Sequence, residues 1–279
     1  MRYKDFSNNI DVIIGTLVGC FSGSLDVSDS LNSRLKPVFL GISYKLSAPL
    51  FSSFSIGETY RINGVKTDRV VGLKSDILLD ADKAMKDFNN FNFSEEYVPK
   101  YDNNIFGLSF IFGYSFRNLR VELEGSYKKF DVIDTRNHLV DNNYRHIALV
   151  RSNPPTLYDY FVLKNDGVEF YSTILNICYD FAVDTNIVPF SCVGIGEDII
   201  KIFDSIRFKP SFNSKLGINY LMSQDMLLFF DVYYHRVVGN EYNNIPVQYV
   251  SLPNPLNIST AAKLDMEYFG AEIGIKVFV

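Results

Sequence analysis

The feature that most constrains this chain is an alternation of period two, seen first in its last stretch. Phe269, Ala271, Ile273, Ile275, Val277 and Val279 share one parity, and Glu272, Gly274 and Lys276 share the other. Successive side chains of a strand point to opposite faces of a sheet, so this stretch makes one apolar and one charged face. Seven further stretches repeat the pattern: Val38 to Leu46, Ile105 to Phe116, Leu119 to Phe130, Val168 to Tyr179, Val188 to Gly196, Phe208 to Tyr220 and Met226 to Val237. Leu119 to Phe130 is the clearest. There Leu119, Val121, Leu123 and Tyr127 oppose Arg120, Glu122, Glu124, Ser126 and Lys128. Charges that dense on one face need water or opposite charges, and the polar lumen of a barrel supplies both. Tilted strands of about 9 to 11 residues cross a bilayer. The fold expected is therefore all-β, an antiparallel transmembrane β-barrel of eight strands, over residues 25–279.

The connections support a membrane barrel. Three are short (Ser115 to Asn118, Asp180 to Ile187, Leu221 to Asp225), and they alternate with longer ones over 47–104, 131–167, 197–207 and 238–265. Membrane barrels pair short periplasmic turns with long external loops, and an even strand count leaves both termini in the periplasm. Asp80 to Phe88 reads as a short helix in the first long loop. Arg69 to Leu79 and His146 to Arg151 are candidates for additional barrel strands.

Composition narrows the class further. Apolar residues make up 47% of the chain, yet no apolar run is long enough for a transmembrane helix. The net charge of −5 comes from interspersed charges of both signs, which excludes the basic stripe of a nucleic-acid partner. Arg2 and Lys4 precede a short apolar core, Val12 to Val18, and then the small residues Gly19, Ser22, Gly23 and Ser24. Residues 1–24 thus read as an export signal, atypical for its Asp5 and Asp11. Leu17-Val18-Gly19-Cys20 has the form of a lipobox, with Cys20 as a lipidation candidate; the alternative is a cleaved signal with an incidental cysteine.

Catalytic chemistry finds little support. His138, His146 and His235 are scattered, without metal-cage spacing, and no nucleophile elbow is present. Gly194-Ile-Gly-Glu follows a strand but opens no helix, so its glycines read as room inside a narrow barrel. No cofactor, metal or enzyme activity is expected. The inward charges are expected to form a lumen network of Lys45, Arg120, Glu122, Glu124, Lys128, Lys215, Asp231, His235, Glu272 and Lys276. Closure would pair the first strand with the last and set Lys45 against Glu272. Cys178 and Cys192 flank the short turn 180–187 at positions that face each other in an antiparallel pair. That is within disulfide reach; the alternative is two buried free thiols.

Several segments resemble the major surface antigens of Ehrlichia, Anaplasma and Wolbachia. They include Gly41-Ile-Ser-Tyr-Lys-Leu, Val71-Gly-Leu-Lys-Ser-Asp, Val121-Glu-Leu-Glu-Gly-Ser-Tyr, Asn176-Ile-Cys-Tyr-Asp, Cys192-Val-Gly-Ile-Gly-Glu-Asp, His235-Arg-Val-Val-Gly-Asn-Glu and Phe269-Gly-Ala-Glu-Ile-Gly. The likeness runs in order from about residue 38 to the end. It implies a surface-exposed outer-membrane barrel, in contact with lipid, the barrel-assembly machinery and a host surface or antibody. For some relatives it implies passage of small hydrophilic solutes. The final Phe278-Val279 departs from the aromatic end usual in that family.

Three readings follow: a diffusion pore, a barrel anchoring contact loops, and a soluble lipocalin-like barrel around an apolar ligand. The third needs the opposite polarity, apolar inside and polar outside.

Overall fold

Strand-forming alternation is realised as a closed sheet. The computed structural model describes residues 37–56, 61–62, 65–151, 160–181, 186–251 and 259–279; the export-signal segment and Cys20 lie outside them. In chain order the strands are β1 (Val38–Pro49), β2 (Ser52–Ile56), β3 (Arg61–Ile62), β4 (Val65–Gly72), β5 (Asn104–Phe116), β6 (Leu119–Phe130), β7 (His146–Arg151) and β8 (Tyr160–Lys164). They continue as β9 (Val168–Asp180), β10 (Ile187–Ile202), β11 (Ser205–Leu221), β12 (Met226–Val237), β13 (Glu241–Pro246), β14 (Tyr249–Val250), β15 (Ser259–Asp265) and β16 (Glu267–Phe278). β1, β16, β12, β11, β10, β9, β6 and β5 form a closed barrel in that order, with every pair antiparallel. Closure leaves no unpaired sheet edge in lipid, where an unsatisfied backbone group is costly.

The polarity is that of a membrane barrel. Leu40, Ile42, Phe110, Phe112, Leu123, Leu175, Leu216, Phe230 and Ile273 are exposed on the outer face. Lys45, Glu124, Lys215 and Glu272 are buried on the inner one. A soluble barrel around an apolar ligand requires the reverse, so that alternative is withdrawn.

Two expectations need correction. The connection 197–207 is not a long loop: β10 and β11 pair without a break up to Ile202 and Ser205, joined by Phe203 and Asp204. Both turn residues have positive φ, 48° and 53°, the sign pattern of a type I′ hairpin turn. The segments at 69–79 and 146–151 do contain strands, β4 and β7, but neither enters the barrel. They lie in a separate sheet of order β14-β8-β7-β4-β3, beside a smaller one of order β13-β15-β2. The helix expected over 80–88 is the single turn α1 (Ala81–Ala84), followed by a 3-10 turn at Phe88–Asn90.

The five-stranded sheet buries both faces. Ile147, Leu149, Phe161 and Leu163 pack down against barrel residues Phe130, Phe170, Ile200, Ile202 and Tyr268. Ala148, Val150, Tyr160 and Val162 pack up against α1 and its neighbours Met85 and Phe91. The outer mouth of the barrel is therefore roofed by a two-layered crown.

Candidate functional site: an ion-paired lumen closed at both mouths

Inward parity brings all ten proposed lumen residues inside the barrel, each no more than 4% exposed. Their contacts fall into tiers. Midway along the lumen, Lys45, Lys215, Glu124 and Glu272 form a square. Lys45 contacts Glu124 and lies 3.1 Å from Glu272; Lys215 lies 2.6 Å from Glu124 and 2.8 Å from Glu272. Lys45 and Glu272 are direct cross-strand partners between β1 and β16. Ser43 and Ser109 donate to Glu272, and Asn176 donates to Glu124 at 3.1 Å. Buried charges carry a desolvation penalty that only close partners and further hydrogen bonds offset, and this square supplies both. Asp231 faces Glu272 across the β12–β16 pair.

Towards the periplasm, Glu122 accepts from Arg120 at 2.7 Å and from Lys276 at 2.5 Å, while Arg120 also grips Asp180. Asn219 adds a hydrogen bond to Asp180 at 3.0 Å. The Lys276 ammonium sits 4.5 Å from the centre of the Phe229 ring, a favourable cation–π placement. Phe229 belongs to an apolar layer with Phe39, Ile111, Phe190, Leu227 and Phe278, and this layer fills the periplasmic mouth.

Towards the outside, His235 Nε2 lies 2.7 Å from Asp198 Oδ2, and its ring stacks on Tyr268 at 4.6 Å. Lys128 donates to Tyr268 Oη at 3.4 Å. Above this tier the crown's apolar residues close the outer mouth.

Cys178 and Cys192 are direct partners between β9 and β10, and their sulfurs are bonded at 2.02 Å. Glu122 and the two sulfurs lie within 4.8 Å of one another. Sulfurs joined to each other are not thiolate ligands, so the trio does not fit a metal ion.

A family model described as surface antigen matches residues 31–279, a span that takes in every strand of the barrel and crown. The chain belongs to the surface antigen family. Its relative Major surface antigen 4 of Anaplasma marginale is 26% identical over 244 residues, 86% of this chain and 81% of the relative. Among solved structures, Neisserial surface protein A aligns with a TM-score of 0.41 at 10% identity, over 87% of this chain and 96% of that one. Outer membrane protein AlkL in lipid bilayers aligns at 0.41 and 14%, over 92% and 95%. Neither the family nor the place in the membrane rests on those two likenesses. This surface antigen is a multi-pass β-barrel of the outer membrane, exposed at the cell surface.

The lumen of the surface antigen also holds residues that alternation did not reveal. Asp198, the partner of His235, lies beyond Gly196, where the expected fifth strand ended. Ile199, Ile200 and Ile202 surround it on both faces, so the parity signal disappears there. Asp180 falls at the strand end, in what read as a turn. The aromatic layer of Phe39, Phe190 and Phe229 sits on the inward parity, where only polar side chains were expected. The contrast between each of these rings and its charged neighbours was the available signal.

Proposed function

We propose that this surface antigen is a sealed membrane anchor that presents its crown to the outside for contact with a host surface or antibody. The observation that carries the reading is the apolar plug in which β7 and β8 interlock with the upper barrel wall. A hydrophilic solute would have to cross that plug, the ion-paired square and the aromatic layer at the periplasmic mouth. Eight strands enclose about the space that side chains fill, so passage of small solutes has no path in this reading. Lipid contacts the outer face, the barrel-assembly machinery inserts the chain, and nucleic acid has no part.

Catalysis has no part in the reading either. His235 and Asp198 are 3% and 0% exposed, out of reach of a substrate. On the crown, the His138 imidazole is occupied on both sides, by Asp134 Oδ1 at 2.7 Å and by the Leu73 carbonyl at 3.1 Å.

Single-channel recording of the refolded chain tests the proposal. No unitary steps are expected, and liposomes carrying the barrel should not swell in small sugars. A reproducible unitary conductance would replace the anchor with a pore.

A further inference from the structure

The disulfide lies where no oxidant can reach it in the finished barrel. Cys178 is 0% and Cys192 3% exposed, and both pack into the aromatic layer with Phe39, Phe190, Phe229 and Phe278. Glu122, itself paired with Arg120 and Lys276, lies within 4.8 Å of both sulfurs, the plug closes the far mouth, and the sheet has no edge. A thiol oxidase must bring its own sulfur into line with the attacking thiolate, and that needs an open chain.

The place of the bond in the sheet gives it a second consequence. A slip of one residue turns every side chain to the wrong face, so alternation forbids it. A slip of two keeps every face correct, and alternation is blind to it. Such a slip between β9 and β10 would set Cys178 opposite Phe190 or Gly194 instead of Cys192. It would also displace Asn176 from its place opposite Gly194, the residue whose missing side chain leaves room for the Asn176 amide. A Cβ at position 194 would come within 2.2 Å of Asn176 Oδ1.

We propose that Cys178 and Cys192 are oxidised by a periplasmic thiol–disulfide oxidase while β9 and β10 are still an open hairpin, and that the bond locks their register before the barrel closes. One cysteine thiolate attacks the oxidase disulfide, forming a mixed disulfide and releasing one oxidase thiolate. The second cysteine thiolate then attacks the bonded cysteine sulfur and expels the oxidase as its dithiol. Two electrons pass from the cysteine pair to the oxidase, and the two protons lost from the cysteines balance its reduction. The periplasm, through which an outer-membrane chain passes, is an oxidising compartment.

Pulse-chase labelling of the intact chain, with acid trapping and maleimide alkylation at each time, reads the order of events. The expected first product is a disulfide-bonded chain that still runs as unfolded without heating, followed by the heat-modifiable barrel. A folded barrel that first appears with free thiols, or two thiols free at all times, overturns the proposal. A second arm uses chain reduced in urea, one portion kept unfolded and another refolded in detergent. Purified dithiol oxidase should consume both thiols of the unfolded portion and neither thiol of the folded one. Oxidation of the folded barrel at the same rate overturns it equally.

Discussion

Glu272 receives two lysines and two serine hydroxyls within one cross-section of the lumen, so its removal strands more than a single partner. Breaking a buried ion pair from one side costs about 3–5 kcal/mol. Glu272→Leu should destabilise the barrel by an amount in that class, read as loss of the heat-modifiable band at a lower temperature. Without Glu272 two lysines share Glu124 alone, so Glu272→Leu with Lys45→Met, which removes the excess cation, should recover part of the loss. The double variant leaves Lys215 and Glu124 as a balanced pair, which is why the loss is recovered in part. Additive effects of the two changes would show that they do not share the square. Gly113 makes a second case at this scale. A Cβ there would lie 2.1 Å from Phe39 Cζ, so the ring of the periplasmic layer rests on bare backbone. Gly113→Ala should cost about 1–3 kcal/mol through overpacking, measurable by urea titration of the folded band.

The hairpin β10–β11 and the strap that runs from β6 towards β7 are the elements whose chemistry is open to test. Asp204 holds a positive φ at the hairpin tip, a conformation that glycine adopts without penalty. Asp204→Gly should stabilise the barrel by about 1 kcal/mol, seen as a higher urea midpoint. In the strap, burial tends to raise the Asp134 carboxyl, but the His138 imidazole and the amides of Arg136 and His138 outweigh it and hold its pKa below the usual range. A depressed carboxyl contributes stability that is present above its unfolded pKa, about 4, and lost as pH falls through the folded value. The protection of amides over 131–140, taken against the intrinsic exchange rate at each pH, should therefore fall as pH drops below about 4, and Asp134→Asn should abolish that fall. Legibility also varied by element. β6 was readable to the residue because one of its faces meets lipid and the other a charged lumen. β7 was bounded as a candidate but its place outside the barrel was not legible, and β8 was not read at all, because Ile147 and Ala148, or Phe161 and Val162, are buried on opposite faces of one sheet, and two apolar faces leave no alternation to read.

At the scale of the whole molecule, the crown and the short β5–β6 turn lie on opposite sides of the membrane, and protease accessibility tests that directly. Lys83 and Lys86 are exposed on the crown, while Arg117 is exposed in the short β5–β6 turn. Trypsin added to intact cells should cut after Lys83 or Lys86 and spare Arg117, whereas permeabilised cells should lose both. Cleavage at Arg117 in intact cells would reverse the orientation.

What the amino-acid sequence determined by itself is the wall. Eight two-faced segments, closed into one sheet with their charged faces inward, hide every charge from lipid and leave no backbone edge in it. The direction of each side chain follows from backbone geometry alone, so Lys45, Glu124, Lys215 and Glu272 were placed in the lumen without knowledge of their neighbours. Only the tertiary structure decided which of them meet. Lys215 reaches both Glu124 and Glu272 across the lumen, from strands far apart in the chain. The plug was likewise decided in three dimensions, because β7 and β8 become interior only once the barrel beneath them exists to be covered.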